Sequence, residues 1–263
     1  MSAVILQDEI VHYEVLGRGR PVFFLHDWIG SWRYWIPSMQ ATSLSFRAYA
    51  LDLWGFGDTS KNPSYYSIEQ QVGLLEEFVN NLGIGKIALV GHGLGAVIAM
   101  LYASRYPEGV DRVMTIGMPF GEDRINSRLR LNSPSELASW LLGRSPVAEA
   151  AYVDAPKADH KAILLSLTSL QGVDELACLP YQLATACLLV HGGNDPLIEK
   201  PNSNHVEELP EEAHFIVFEN SGHFPMLDEP GQFNRLLVDF LSLESGQSPR
   251  QLQLKEEWKR RVR

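Results

Sequence analysis

Three stretches of this chain, "PVFFLHD", "KIALVGH" and "ACLLVHGGND", each contain a run of strand length that is apolar without a break. A strand with one wet face would alternate apolar and polar residues. An unbroken run is expected of a strand covered on both faces, as in a parallel sheet sandwiched between helices. This restricts the chain to an α/β arrangement. Helical patterns alternate with the runs as that arrangement requires. Ile68, Val72, Leu75, Val79 and Leu82 step by four and three behind a possible capping pair, Ser67 and Gln70. "AVIAMLYASRY" reads as a second helix closed by Pro107, and "GQFNRLLVDFLSLES" as a third, with Phe233, Leu236, Leu237 and Phe240 on one face.

The remaining strands follow from the same reading. "VILQDEIVHYEVLG" reads as a hairpin ended by "GRGRP", and "FRAYAL", "VDRVMTIG" and "AHFIVF" as single strands. Between about 121 and 181 strand patterns vanish, and short helical segments with prolines at 134, 146, 156 and 180 replace them. The expected architecture is a doubly wound, mostly parallel eight-stranded sheet formed by 1–120 and 182–245. Residues 121–181 form a small helical lid inserted before the last two strands, over the carboxyl ends of the strands where open α/β sheets bind ligands.

The rest of the chain narrows the partners. A formal net charge of −10 argues against nucleic acid as a partner of the body. No apolar run approaches the roughly 20 residues of a membrane span. "MSAVILQDEI" lacks the basic start of a signal peptide, so a cytoplasmic location is expected. Cys178 and Cys187 form no disulfide framework or metal pattern and are read as buried free thiols. The tail, 246–263, is distinct: its last fourteen residues hold six of the 22 basic residues. Leu254, Trp258 and Val262 would give a helix there one apolar side. Such an end docks on its own domain or touches a protein partner or a membrane surface.

The chemistry concentrates in "LVGHGLGAV", a strand, a glycine-rich turn and a helix. Gly91, Gly93 and Ala96 satisfy a dinucleotide fingerprint, G-x-G-x-x-G/A. That fingerprint should follow the first strand of its unit, with an acid ending the next strand. Here several strands precede the turn, and Asp111 opens the following strand. The alternative is a nucleophile elbow, G-x-S-x-G, with glycine where serine belongs.

Over nearly its whole length the chain resembles the α/β-hydrolase family, through five motifs in the family's order. "GRGRPVFFLHDWIGSW" is similar to the oxyanion loop, "ALDLWGFGDTS" to the D-x-x-G-x-G-x-S loop, and "VGHGLG" to the elbow. "HGGNDPLI" is similar to the strand end carrying the acid, and "SGHFPMLDEP" to the segment carrying the base. The resemblance implies Asp195 as acid, His223 as base, and the backbone N–H groups of Trp28 and Leu94 as an oxyanion hole. It implies structural roles for His26 and His92, no cofactor, no metal, and a small apolar ester-type or related substrate.

Two positions depart from the pattern. Gly93 has no hydroxyl, so an acyl-enzyme on it is impossible. Asp27 replaces the glycine expected after His26, where its carboxylate opposes a developing oxyanion unless it points away or is held by a donor such as Arg33. Three readings follow. The first is catalysis through His223 and Asp195 with a water in the space left by Gly93, or with an abstracted substrate proton. The second is an inactive protein that binds a small apolar ligand or a protein partner in the lidded pocket. The third is an introduced substitution at 93 in an active serine hydrolase.

Overall fold

Gln7 and Asp8 both take a positive φ, 50° and 62°, and turn strand β1 (Ser2–Leu6) directly back onto β2 (Glu9–Gly17). Two left-handed residues in a two-residue loop match the twist of a hairpin, which confirms the expected start. The computed structural model describes residues 2–143, 148–171 and 176–254.

Six further strands complete the sheet: β3 (Arg20–Leu25), β4 (Phe46–Leu51), β5 (Ile87–His92), β6 (Val110–Ile116), β7 (Ala186–Gly192) and β8 (Ala213–Phe218). Their order is β1-β2-β4-β3-β5-β6-β7-β8. The β1–β2 and β2–β4 pairs are antiparallel and every other pair is parallel. The unbroken apolar runs occupy β3, β5 and β7 in the interior of the sheet, and Phe23, Phe24, Leu89, Val90 and Leu188 are buried there. Asp111 lies at the start of β6, at the opposite edge from the glycine turn, which disposes of the dinucleotide reading.

Helices α1 (Ile36–Thr42), α2 (Ile68–Asn81) and α3 (Leu94–Arg105) connect the first strands. In α2 the side chain of Ser67 accepts from Gln70 N, so the Ser67 half of the capping pair forms. Ile68, Val72, Leu75 and Val79 face inward as their spacing requires. The segment between β6 and β7 is helical, with α4 (Arg128–Leu131), α5 (Pro134–Leu141), α6 (Glu149–Asp154), α7 (His160–Leu170) and α8 (Leu179–Gln182). Three bonds seat it on the loops that follow β3 and β4. Trp28 Nε1 donates to Ser166 Oγ at 2.9 Å, Lys157 Nζ pairs with Asp58 at 2.9 Å, and Tyr66 Oη donates to Asp159 at 2.9 Å. Leu141 and Leu142 are buried in the insertion, and the guanidinium of Arg128 lies over the Trp140 ring. Helices α9 (Ser203–Glu207), α10 (Pro225–Asp228) and α11 (Pro230–Leu241) complete the chain, α11 burying the apolar face read from sequence.

One expectation changes. Cys187 is buried, and burial pushes its thiol up to about 12, but Cys178 is exposed; both are free. In the tail, Leu252 and Leu254 pack against the core, while Trp258 and Val262 lie outside the described residues. No helix among the described residues is long and apolar enough to cross a membrane.

Candidate active site

Strand β5 ends at His92, and α3 begins at Leu94, so Gly93 alone makes the turn, at φ 48° and ψ −108°. That backbone is outside the usual range of residues with a Cβ. The flanking glycines act as clearances. A Cβ on Gly91 would lie 2.2 Å from the carbonyl oxygen of Gly95, and one on Gly95 would lie 2.3 Å from that of Leu25. No side chain fits at either place, because the obstacles are backbone. The elbow geometry is therefore complete apart from its nucleophile.

Gly93 borders a different obstacle. A Cβ there would lie 1.7 Å from Oδ1 of Asp27 and 2.5 Å from its Cγ. The carboxyl group of Asp27 occupies the place an elbow side chain would take. This overturns two expectations. The space left by Gly93 is filled, so it does not seat a water. Asp27 neither points away nor meets Arg33, whose Nε pairs with Asp154 at 2.9 Å.

The partners of Asp27 are those expected of a serine oxygen and its acyl oxyanion. Leu94 N donates to Oδ1 at 3.2 Å. Oδ2 lies 3.1 Å from His223 Nε2. Leu94 N, one of the two backbone donors expected to form an oxyanion hole, thus addresses the carboxylate of Asp27. His223 Nδ1 lies 2.8 Å from Asp195 Oδ2, and Asp195 Oδ1 accepts from Leu197 N and Ile198 N at 2.8 and 3.1 Å. The pairing of His223 with Asp195 matches the sequence expectation.

A carboxylate only accepts, so an imidazole between two of them must donate from both nitrogens. His223 is therefore an imidazolium. Burial pushes its pKa down, but the charges of Asp195 and Asp27 and their hydrogen bonds outweigh burial and raise it to about 10. Burial likewise favours neutral carboxyls, yet the imidazolium holds Asp195 down to about 2 and keeps Asp27 below its ordinary value. The cluster carries a net charge of −1 and is wholly buried.

The other histidines hold this arrangement from behind. His26 Nδ1 donates to the carbonyl of Asp27 at 2.7 Å, and its Nε2 accepts from Leu53 N at 3.0 Å. His92 Nε2 donates to the carbonyl of His223 at 2.8 Å. Burial and the neighbouring imidazolium lower His92 to about 3, so it stays neutral. Both bond the backbone of the loops that carry Asp27 and His223. Tyr34, which no motif marked, accepts from Asp27 N at 2.7 Å on its hydroxyl and donates to His92 Nδ1 at 3.1 Å. Its only signal was membership of the aromatic cluster "SWRYW", where it reads as core.

Asp27, His92 and His223 also lie close enough to share a cation, but every one of these ligand atoms already has a protein partner. The arrangement is a charged relay, complete without an ion.

Known proteins share this framework. The 2-hydroxy-6-oxo-2,4-heptadienoate hydrolase of Pseudomonas putida is 25% identical over 252 residues, covering 87% of this chain and 91% of that protein. Epoxide hydrolase 2 of Siraitia grosvenorii is 34% identical over 113 residues, covering 42% of this chain and 36% of that protein. The solved structure of a meta-cleavage product hydrolase from Pseudomonas fluorescens superposes with a TM-score of 0.77 at 24% identity, over 92% of this chain and 97% of that one, a likeness of fold. These relatives support a hydrolase-like role. Residues 22–236 match the model of the alpha/beta hydrolase family, and the chain belongs to that family.

Proposed function

We propose that the protein hydrolyses a small apolar substrate and that the carboxylate of Asp27 makes the attack that Gly93 cannot. One observation carries this reading: Asp27 fills the elbow position and contacts Leu94 N and His223 Nε2 together. Burying three charges is costly, and apolar residues would fill the same volume at less expense. Strongly perturbed, desolvated charges of this kind concentrate at reacting centres.

The charge state selects the chemistry. An imidazolium cannot deprotonate water, so direct attack by water is closed in the resting site. Attack of a carboxylate on an ester carbonyl is unproductive, because the tetrahedral adduct expels the carboxylate more readily than an alkoxide. Leu94 N, a backbone donor that would hold that adduct's oxyanion, is also taken by Asp27. Attack on a saturated carbon meets neither obstacle, and an epoxide is the simplest neutral, apolar electrophile of that class. The similarity to epoxide hydrolases supports this choice.

The steps balance. Asp27 Oδ2 attacks an epoxide carbon, the carbon–oxygen bond opens, and the alkoxide takes the Nε2 proton of His223. A hydroxyalkyl ester on Asp27 and a neutral His223 remain. His223 then takes a proton from water, and the hydroxide adds to Cγ of Asp27. The oxyanion that develops on Oδ1 lies at Leu94 N, which stabilises it in this second step. Collapse releases the diol, which leaves the carboxylate and the imidazolium restored. Acid–base assistance of this kind is typically worth about 10² to 10⁴ in rate.

Single turnover of a terminal epoxide in oxygen-18 water tests the route. The expected result is label in the Asp27 carboxylate, read from the peptide mass, and no turnover by Asp27→Asn. A second reading has its own supporting observation, since the Asp27 and His223 side chains are fully enclosed. Thermal stabilisation by apolar ligands without any turnover would favour that binding-only reading and refute the attack.

A further inference from the structure

Behind the charged cluster, four groups form a chain of hydrogen bonds that all run one way. Asp27 N–H donates to Tyr34 Oη at 2.7 Å. Tyr34 O–H donates to His92 Nδ1 at 3.1 Å, and His92 Nε2–H donates to the carbonyl of His223 at 2.8 Å. The carbonyl accepts only, which makes Nε2 of His92 the protonated nitrogen and Nδ1 the acceptor. The Tyr34 hydroxyl must then donate to Nδ1 and accept from Asp27. No alternative direction satisfies all four groups.

We infer that Tyr34 and His92 are positioning residues that set the separation between Asp27 and His223. The inference rests on Asp27 being the attacking group, but its test does not require turnover. Asp27 and His223 come from loops far apart in the chain, after β3 and after β8. Their side chains meet at 3.1 Å, and the Tyr34–His92 bridge joins their backbones, closing a ring. The bridge is packed as a rigid body. The rings of Tyr34 and His92 meet edge-on at 5.9 Å, and Phe224 lies edge-on against Tyr34, His92 and His223 at 5.6, 4.8 and 5.1 Å. All four side chains are buried. Misplacement of reacting groups by about 1 Å can cost on the order of 100-fold in rate.

The test uses protein labelled with nitrogen-15 at histidine. The ring N–H signals of His223 are assigned by their loss in His223→Gln, and the Nε2–H signal by its response to Asp27→Asn. In Tyr34→Phe we expect the Nε2–H signal to move upfield and the titration midpoint of His223 to fall, as the contact with Asp27 lengthens. Turnover should fall by roughly 10- to 100-fold with KM little changed. His92→Gln retains an acceptor for Tyr34 and a donor for His223, so it should keep the signal that His92→Leu loses. That comparison stands whether or not Tyr34→Phe folds well. A folded Tyr34→Phe with the His223 signal and titration unchanged, or His92→Leu indistinguishable from His92→Gln, overturns the inference. If the signals move as expected but no epoxide is turned over, the positioning stands and the attack by Asp27 falls.

Discussion

Restoring serine at the elbow alone should damage this protein instead of reviving an esterase. In Gly93→Ser the new Cβ meets Asp27 Oδ1 at 1.7 Å, and neither atom is at the end of a long flexible chain. Asp27 must move, and its links to Leu94 N and His223 Nε2 break. Separating one member of a buried charge pair costs about 3–5 kcal/mol. Serine at φ 48° adds strain of about 1 kcal/mol. The sum, on the order of 4–6 kcal/mol, is a large share of the 5–15 kcal/mol typical of a folded domain. Asp27→Gly alone also destabilises, because His223 loses a partner. The double variant Asp27→Gly/Gly93→Ser removes the collision and gives His223 a hydroxyl to bond. Urea unfolding of the four proteins therefore forms a cycle with a coupling of about 2 kcal/mol or more, far above the few tenths seen for independent sites. The double variant should also hydrolyse p-nitrophenyl acetate in a way that His223→Gln abolishes. Refutation would be a Gly93→Ser protein within about 0.5 kcal/mol of the parent, with additive effects, since Asp27 could not then occupy the elbow.

The cluster also sets the pH dependence of stability. His223 is raised from 6.5 to about 10, so its contribution is complete below pH 6.5 and is lost as pH rises through 10. Asp195 is lowered from 3.8 to about 2, so its contribution is present above 3.8 and is lost as pH falls through 2. Urea unfolding should show a fall between pH 6.5 and 10 that His223→Gln flattens; an unchanged slope in that variant would rule out the imidazolium. Asp154 is buried and receives Ser31 and Arg33, which fasten α6 to the loop carrying Asp27, and also Lys157 from its own segment. Arg33 and Lys157 are about one-third exposed and regain water, so Asp154→Asn should cost only about 1–3 kcal/mol in urea unfolding. Gly95→Ala places a methyl group 2.3 Å from the Leu25 carbonyl and must push β3 away, costing about 1–3 kcal/mol by thermal unfolding.

Most of the architecture was legible because it rests on periodicity and on turns with few solutions. Unbroken apolar runs place β3, β5 and β7 inside the sheet, and the steps of four and three in α2 bury the residues they select. Gly91 and Gly95 were readable as clearances because backbone crowding demands a missing Cβ whatever surrounds it. The direction of a single side chain in a loop obeys no such rule. Asp27 follows the last strand residues of β3 in irregular structure, and its aim depends on Tyr34 holding its N–H and Leu94 receiving its carboxylate. Neither contact has a fixed spacing in the chain. Read along the sequence, Asp27 and Gly93 are two departures from one pattern, each subtracting something from the site. In space they are a single exchange. The volume and the partners vacated at 93 are taken by the carboxylate of 27, and Asp27 so placed does not fit beside a side chain at 93. The missing hydroxyl therefore does not measure what the site can do, because the group facing His223 has been replaced by one of different charge and different chemistry.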